Sequence, residues 1–113
     1  MKRITAYIQP CMADAVADAL RNIRVHGLTM IRCHGFGRMI DAPAPHYADA
    51  ADTLGFVDKT KLEIVCADAD KDRIVAAIRV SAHTGRHGDG KIFVSTVDEA
   101  TDIRTGDTGE GVV

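Results

Sequence analysis

Lys61-Leu62-Glu63-Ile64-Val65-Cys66-Ala67 alternates without a break, with Leu62, Ile64 and Cys66 on one face. A period of two is the mark of a strand that buries one side. The period then changes. Asp68 or Asp70 can cap a helix over residues 71–82, whose inward stripe would be Ile74, Ala77, Ile78 and Ser81. A glycine-rich turn over 84–90, Thr-Gly-Arg-His-Gly-Asp-Gly, leads into a further strand from Lys91 to Val97. The second half of the chain therefore reads β-α-β.

The first half has the same plan. Met1 to Gln9 sets Ile4, Ala6 and Ile8 against Thr5, Tyr7 and Gln9, and Pro10 ends the strand. Residues 12–24 are alanine-rich, with Val16, Leu20 and Ile23 at helical spacing. Asp14 and Asp18 suit the early part of that helix, and Arg21 and Arg24 its end. His26-Gly27 reads as the stop, with Gly27 expected at positive φ. Leu28 to His34 is a second strand. Residues 37–58 carry two prolines, several aspartates and many alanines. They read as a long exposed loop with a short helical turn around Tyr47–Ala51, and loops of that length are commonly functional. Residues 100–104 suit a short fifth strand or extended tail, and Gly106 to Val113 are expected to fray.

Two β-α-β units joined by a long loop make a doubled split βαβ, the ferredoxin-like plan. The expected fold is α+β, a single domain over residues 1–113, with an antiparallel sheet carrying both helices on one face. The other face would display Thr29, Ile31, Cys33, Val65, Phe93 and Val97 or their opposite-parity neighbours. Both parities carry apolar residues, so oligomerisation is expected to cover that face.

Bulk properties exclude several classes. The net charge is −2 and aromatics are 4% of 113 residues, which argues against a nucleic-acid binder. No apolar run approaches the roughly 18–20 residues of a membrane span. Met1-Lys2-Arg3 runs straight into the first strand without the apolar segment of a secretory signal. Three cysteines, Cys11, Cys33 and Cys66, form no CxxC pair, so a reduced, cytoplasmic setting is expected.

Three glycine-rich stretches hold the candidate chemistry: Gly35-Phe36-Gly37-Arg38, Thr84 to Lys91, and Arg104-Thr105-Gly106. Backbone N–H groups in such turns make concave anion sites, and Arg38, Lys91 and Arg104 could complete a cage around a polyphosphate. Taken singly, each is also an ordinary turn with a solvated charge. Neither GxxxxGK[ST] nor GxGxxG is present. A metal reading would rest on Cys33-His34, His46, His83 and His87, but adjacent strand residues point to opposite faces and chelate poorly. Cys11 and Cys66 read as small core residues. An enzyme reading would need Cys33 beside His34, or Asp89 and His87 positioning a water at a phosphate. The third rival is an interaction module whose turns bind nothing. No catalytic residue and no protein-only metal site are assigned.

Taken together, Gly35-Phe36-Gly37-Arg38 before the long loop, Gly88-Asp89-Gly90-Lys91-Ile92-Phe93-Val94 after the second helix and Ile103-Arg104-Thr105-Gly106 near the end resemble the PII signalling family. The resemblance covers the whole chain apart from the long loop. It implies a homotrimer with adenine-nucleotide sites (ATP, ADP or AMP) in the clefts between subunits. Residues 38–57 resemble the family's T-loop, which docks into a membrane transporter or a metabolic enzyme. Residues 84–90 resemble its B-loop, and 102–113 its C-terminal loop and tail. By this likeness Thr29 and Val65 would border the adenine. Gly37, Arg38, Gly88, Asp89, Gly90, Lys91 and Arg104 would hold ribose and phosphates. Lys59, with Gly37 and Arg38, would meet a second, acidic effector.

Some positions depart from the family pattern. Met39 stands where typical members have a Gln that ligates the Mg²⁺ carrying 2-oxoglutarate, and a thioether is a poor ligand for a hard cation. Gln9 stands where a basic residue commonly precedes the first proline, and Asp102 replaces the first of two C-terminal arginines. The family's modified tyrosine falls near Asp52, and Tyr47 is the loop's one tyrosine. These departures favour a divergent branch that senses ADP or AMP with bicarbonate. The alternatives are a nitrogen-regulatory member sensing Mg-ATP and 2-oxoglutarate, a metal-responsive member, or a weak ATPase.

Overall fold

The computed structural model describes residues 1–37 and 56–113. Four strands, β1 (Lys2–Ile8), β2 (Thr29–Gly35), β3 (Val57–Cys66) and β4 (Gly90–Thr96), and two helices, α1 (Ala13–Asn22) and α2 (Lys71–Ala82), follow one another as β1-α1-β2-β3-α2-β4. The sheet order is β2-β3-β1-β4 and every pairing is antiparallel. This is the α+β double βαβ plan expected above.

The two periodicities of the sequence meet in one core. Ile4, Ala6 and Ile8 of β1 and Leu62, Ile64 and Cys66 of β3 point to one face, where Val16 and Leu20 of α1 and Ile74, Ile78 and Ala82 of α2 cover them. Both helices thus lie on the same side. Each fully buried Ile or Leu among them contributes roughly 1.5–3 kcal/mol. The stripe of α2 ends on Ala82 rather than Ser81, whose hydroxyl instead donates to the Ala77 carbonyl at 2.6 Å. No helix among the described residues is long and apolar enough to cross a membrane.

The register assigns the opposite face. Thr29, Ile31 and Cys33 pair with Glu63, Lys61 and Lys59, and Phe93 pairs with Thr5. All share the side away from the helices with Tyr7 and Val65, which selects the first of the two parities left open above. Ile31 is 49% and Phe93 55% exposed in the single chain, and Tyr7 meets Phe93 edge to face at 6.3 Å.

Several local expectations need correction. α1 is entered through a short 3-10 turn at Pro10–Met12, and it ends at Asn22. The left-handed residue is Arg24, at φ 59°, not Gly27. The Arg24 N–H donates to the Arg21 carbonyl and the Val25 N–H to the Leu20 carbonyl, a Schellman closure with arginine where glycine is usual. Cys11 is exposed rather than core, while Cys66 is buried as expected. The third strand begins at Val57, four residues before Lys61, and takes in the last residue of the expected 38–57 loop. Asp70 stands at the N-cap of α2, but its carboxylate takes the Arg73 guanidinium at 2.9 Å instead of a backbone amide. The C-terminal stretch is folded: Thr101 bridges Thr108, the Gly109 N–H donates to the Ala100 carbonyl at 3.0 Å, and Glu110–Val112 forms a 3-10 turn. The helical turn expected near Tyr47, together with Arg38 and Met39, lies outside the described residues.

Candidate functional site

The glycine-rich turn between α2 and β4 is built around one carboxylate. Asp89 accepts the Thr84 N–H at 2.8 Å, the Gly85 N–H at 2.9 Å and the Thr84 hydroxyl. His83 Nδ1 stands 3.5 Å away. The Thr84 hydroxyl, then the backbone amides and His83, hold the Asp89 carboxyl below its ordinary range. Asp89 was expected to help hold ribose and phosphates; in the single chain its carboxylate oxygens close the turn. The same occupancy argues against Asp89 and His87 positioning a hydrolytic water.

The turn then enters β4 through a forced glycine. Gly90 has φ 110°, and a Cβ there would lie 1.7 Å from the Tyr7 carbonyl oxygen. Only glycine lets β4 start this close to β1. Gly88, at φ 101°, turns its carbonyl back toward the sheet. That oxygen accepts the Gln9 amide at 2.8 Å and the Lys59 ammonium at 2.9 Å. Lys59 lies on the outer face of β3, opposite Cys33, whose thiol meets the Lys59 carbonyl at 3.5 Å. Burial pulls the Lys59 ammonium below the usual lysine range, against the opposing pull of Asp89.

Lys59, Gly88, Asp89 and Gly90 are therefore gathered at one end of the sheet, and Lys91 follows on the outer face opposite Tyr7. Gly37 is exposed two residues past the end of β2, with nothing within 4 Å of an added Cβ. Beside this end, a groove of about 410 Å³ runs between α2 and β4, lined by Val75, Ile78, Arg79, Ala82, Lys91 and Ile92 among others.

Thr29 and Val65 are elsewhere. Thr29 pairs with Glu63, so Val65 is its diagonal neighbour, at the far end of β3. Six residues of extended chain separate Val65 from Lys59, roughly 20 Å. One chain does not bring the expected adenine-bordering pair to the glycine turn. Arg104 is exposed on the C-terminal hairpin. Asp102, two residues earlier, accepts the Thr105 N–H at 2.9 Å, and that bond holds its carboxyl low. Its charge is thus engaged in shaping a turn, a role that substitution for an arginine did not suggest.

Gln9 is the residue the sequence reading undervalued, since it was weighed only as a missing positive charge. Extending the β1–β3 register by one step past Ile8 and Thr60 sets Gln9 against Lys59, a signal available once the strands are aligned.

A family profile described as nitrogen regulatory protein P-II matches residues 1–107. The chain is similar to proteins of that name from Rhizobium meliloti (strain 1021), 44% identical over 96% of both chains, and from Bradyrhizobium diazoefficiens, 45% identical over 96% of both. It is also 42% identical to the one from Azospirillum brasilense, again over 96% of both chains. These nitrogen-regulatory relatives correct the expectation of a divergent, bicarbonate-associated branch. Proteins of this family are trimeric signal transducers, not enzymes, that bind adenine nucleotides with magnesium and regulate target proteins. With the profile spanning residues 1–107, the chain belongs to the nitrogen regulatory P-II family.

Proposed function

We propose that this chain is a nitrogen-regulatory signal transducer of the cytoplasm that reads Mg-ATP and 2-oxoglutarate against ADP or AMP. The nitrogen-regulatory relatives favour that effector pair, and the split of the candidate residues into two groups, one at each end of the sheet, favours a cleft shared between copies. Lys59, Gly88, Gly90 and Lys91 would form one half-site and Thr29 with Val65 the other, since they lie at opposite ends of the sheet. Homotrimer formation supports a complete cleft by bringing the second half from a neighbouring copy. Adenine would rest against Val65 and Thr29, and phosphates would meet the glycine turn, Lys91 and Arg104, with Gly37 and Arg38 closing the cleft.

Among the described residues no three His, Cys, Asp or Glu side chains are grouped to hold a metal. Mg²⁺ would come with the nucleotide phosphates rather than sit in a protein cage. Lys59, with Gly37 and Arg38, would take a carboxylate of the second effector. Ligands would then shift the populations of residues 38–57, through which a transporter or enzyme is read.

Calorimetric titration tests this. ATP with Mg²⁺ should bind, and 2-oxoglutarate should bind only in its presence. ADP with and without bicarbonate is the contrast arm. Tightening of ADP by bicarbonate together with silence toward 2-oxoglutarate would overturn the reading.

A further inference from the structure

The Gly88 carbonyl is held twice. An sp² oxygen offers two acceptor directions, and here the Gln9 amide takes one at 2.8 Å and the Lys59 ammonium the other at 2.9 Å. The two donors differ in kind. Gln9 is neutral. It sits at φ −65°, ψ 134°, immediately before Pro10, which disfavours the helical region and keeps residue 9 extended. Alternation from buried Ile8 then puts the Gln9 side chain on the outer face, between Lys59 on one side and Asp89 on the other. Lys59 is a half-buried cation that feels the charge of Asp89 and the Cys33 thiol.

We infer that Gln9 and Lys59 form a two-donor clamp in which Gln9 is the permanent holder of the glycine turn and Lys59 the releasable one. Gln9 is thus the positioning residue that frees Lys59 for an anionic effector. An arriving carboxylate competes strongly for the ammonium, because charge-assisted bonds are the stronger ones, and weakly for the neutral amide. When Lys59 turns to the anion, Gln9 still satisfies the Gly88 carbonyl, so release leaves no half-buried acceptor unpaired. A basic residue at position 9 would be drawn to the same anion and could not perform this division of labour. The release step rests on the effector role proposed above for Lys59; the clamp itself does not.

The test is a double-mutant cycle with Gln9→Met, Lys59→Met and both, near-isosteric changes that remove the two donors and, at position 59, the charge as well. Amide hydrogen exchange at Thr84 and Gly85 reports turn closure, since both amides donate to Asp89. Exchange at Ile4 and Leu62 in the core reports the fold. Each single variant is expected to keep turn protection within about threefold of the parent, whereas the double variant loses on the order of thirtyfold, more than the roughly ninefold that additivity allows. Additive losses, or a loss shared by the core amides, overturn the clamp. In the second arm, 2-oxoglutarate is titrated in saturating Mg-ATP, and Gln9→Met should weaken it about tenfold, because an anion that draws the ammonium away then strands the Gly88 carbonyl. Unchanged affinity refutes the release step. A parent protein that binds Mg-ATP but no 2-oxoglutarate refutes the effector reading and the release with it, while the exchange cycle still decides the clamp.

Discussion

Gly90 and Tyr7 approach so closely that the Tyr7 carbonyl oxygen would lie 1.7 Å from a β-carbon at position 90. The contact is backbone, so no rotamer change can relieve it. Gly90→Ala should therefore destabilise the protein by on the order of 3 kcal/mol, read as a shift of the denaturation midpoint. Gly27→Ala is the control. Nothing lies within 4 Å of its added Cβ, and a change of less than about 0.5 kcal/mol is expected.

The Schellman closure of α1 gives a prediction of opposite sign. Arg24 occupies the left-handed region that glycine fills at no steric cost. Arg24→Gly should stabilise the fold by about 0.5–1 kcal/mol, part of the gain being returned as extra freedom of the unfolded chain. A lowered midpoint in urea would show that the Arg24 side chain matters more than its backbone.

Asp89 makes the glycine turn acid-sensitive. Its folded carboxyl is held below the unfolded value of about 3.9. Such a group contributes stability that is fully present above the unfolded value and is lost as pH falls through the folded one. Melts of the parent and Asp89→Asn should accordingly differ at neutral pH and converge below about pH 4. A difference that persists unchanged into acid would mean the carboxylate charge is not what closes the turn.

Lys59 titrates in the other direction. Burial lowers its folded value below that of a free lysine, so the protonated form is disfavoured by folding. That penalty is present below the folded value and is relieved as pH rises toward the unfolded one. Anion binding needs the protonated form, so effector affinity should begin to fall at a pH below the ordinary lysine value of about 10.4. Lys59→Arg should flatten that alkaline limb, since guanidinium keeps its charge. Calorimetry across the alkaline range reads this, and identical limbs in the two proteins would remove Lys59 from the effector's contacts.

Complementation tests the split site. Val65→Glu and Lys91→Ala damage opposite half-sites and should each weaken nucleotide binding about tenfold or more. In trimers re-formed from an equal mixture, about a quarter of the clefts regain two intact halves, and high-affinity binding should return at that stoichiometry. No recovery would mean that both residues serve a cleft within one chain.

Much of this architecture is written in local periodicity. The alternation of Ile4, Ala6 and Ile8 and the helical spacing of Ile74 and Ile78 led directly to the core, because burial acts on every second or every third-to-fourth residue. The N-terminal end of β3 was hidden. Asp58-Lys59-Thr60-Lys61 reads as solvated charge, yet Thr60 is buried and the segment pairs fully with β2. Tertiary pairing there outweighs composition. Gly27 looked like the left-handed residue because glycine is the usual choice; the closure falls on Arg24, three residues earlier. Gly88 and Asp89 stood in a legible motif, and Lys59 came only by likeness to the family. Their roles were not legible, since the Gly88 carbonyl gathers donors from residues 9 and 59 and the Asp89 carboxylate turns inward.

The outer sheet face, with Ile31, Tyr7 and Phe93 open to solvent in the single chain, has a thermodynamic consequence. If a neighbouring copy buries those residues, folding and association are one equilibrium, and the melting temperature must rise with protein concentration. Abundance in the cell then sets how much of the chain can sense anything at all. Dilution toward the dissociation constant of that assembly would silence the signal by dissolving the receptor, before any ligand concentration had changed.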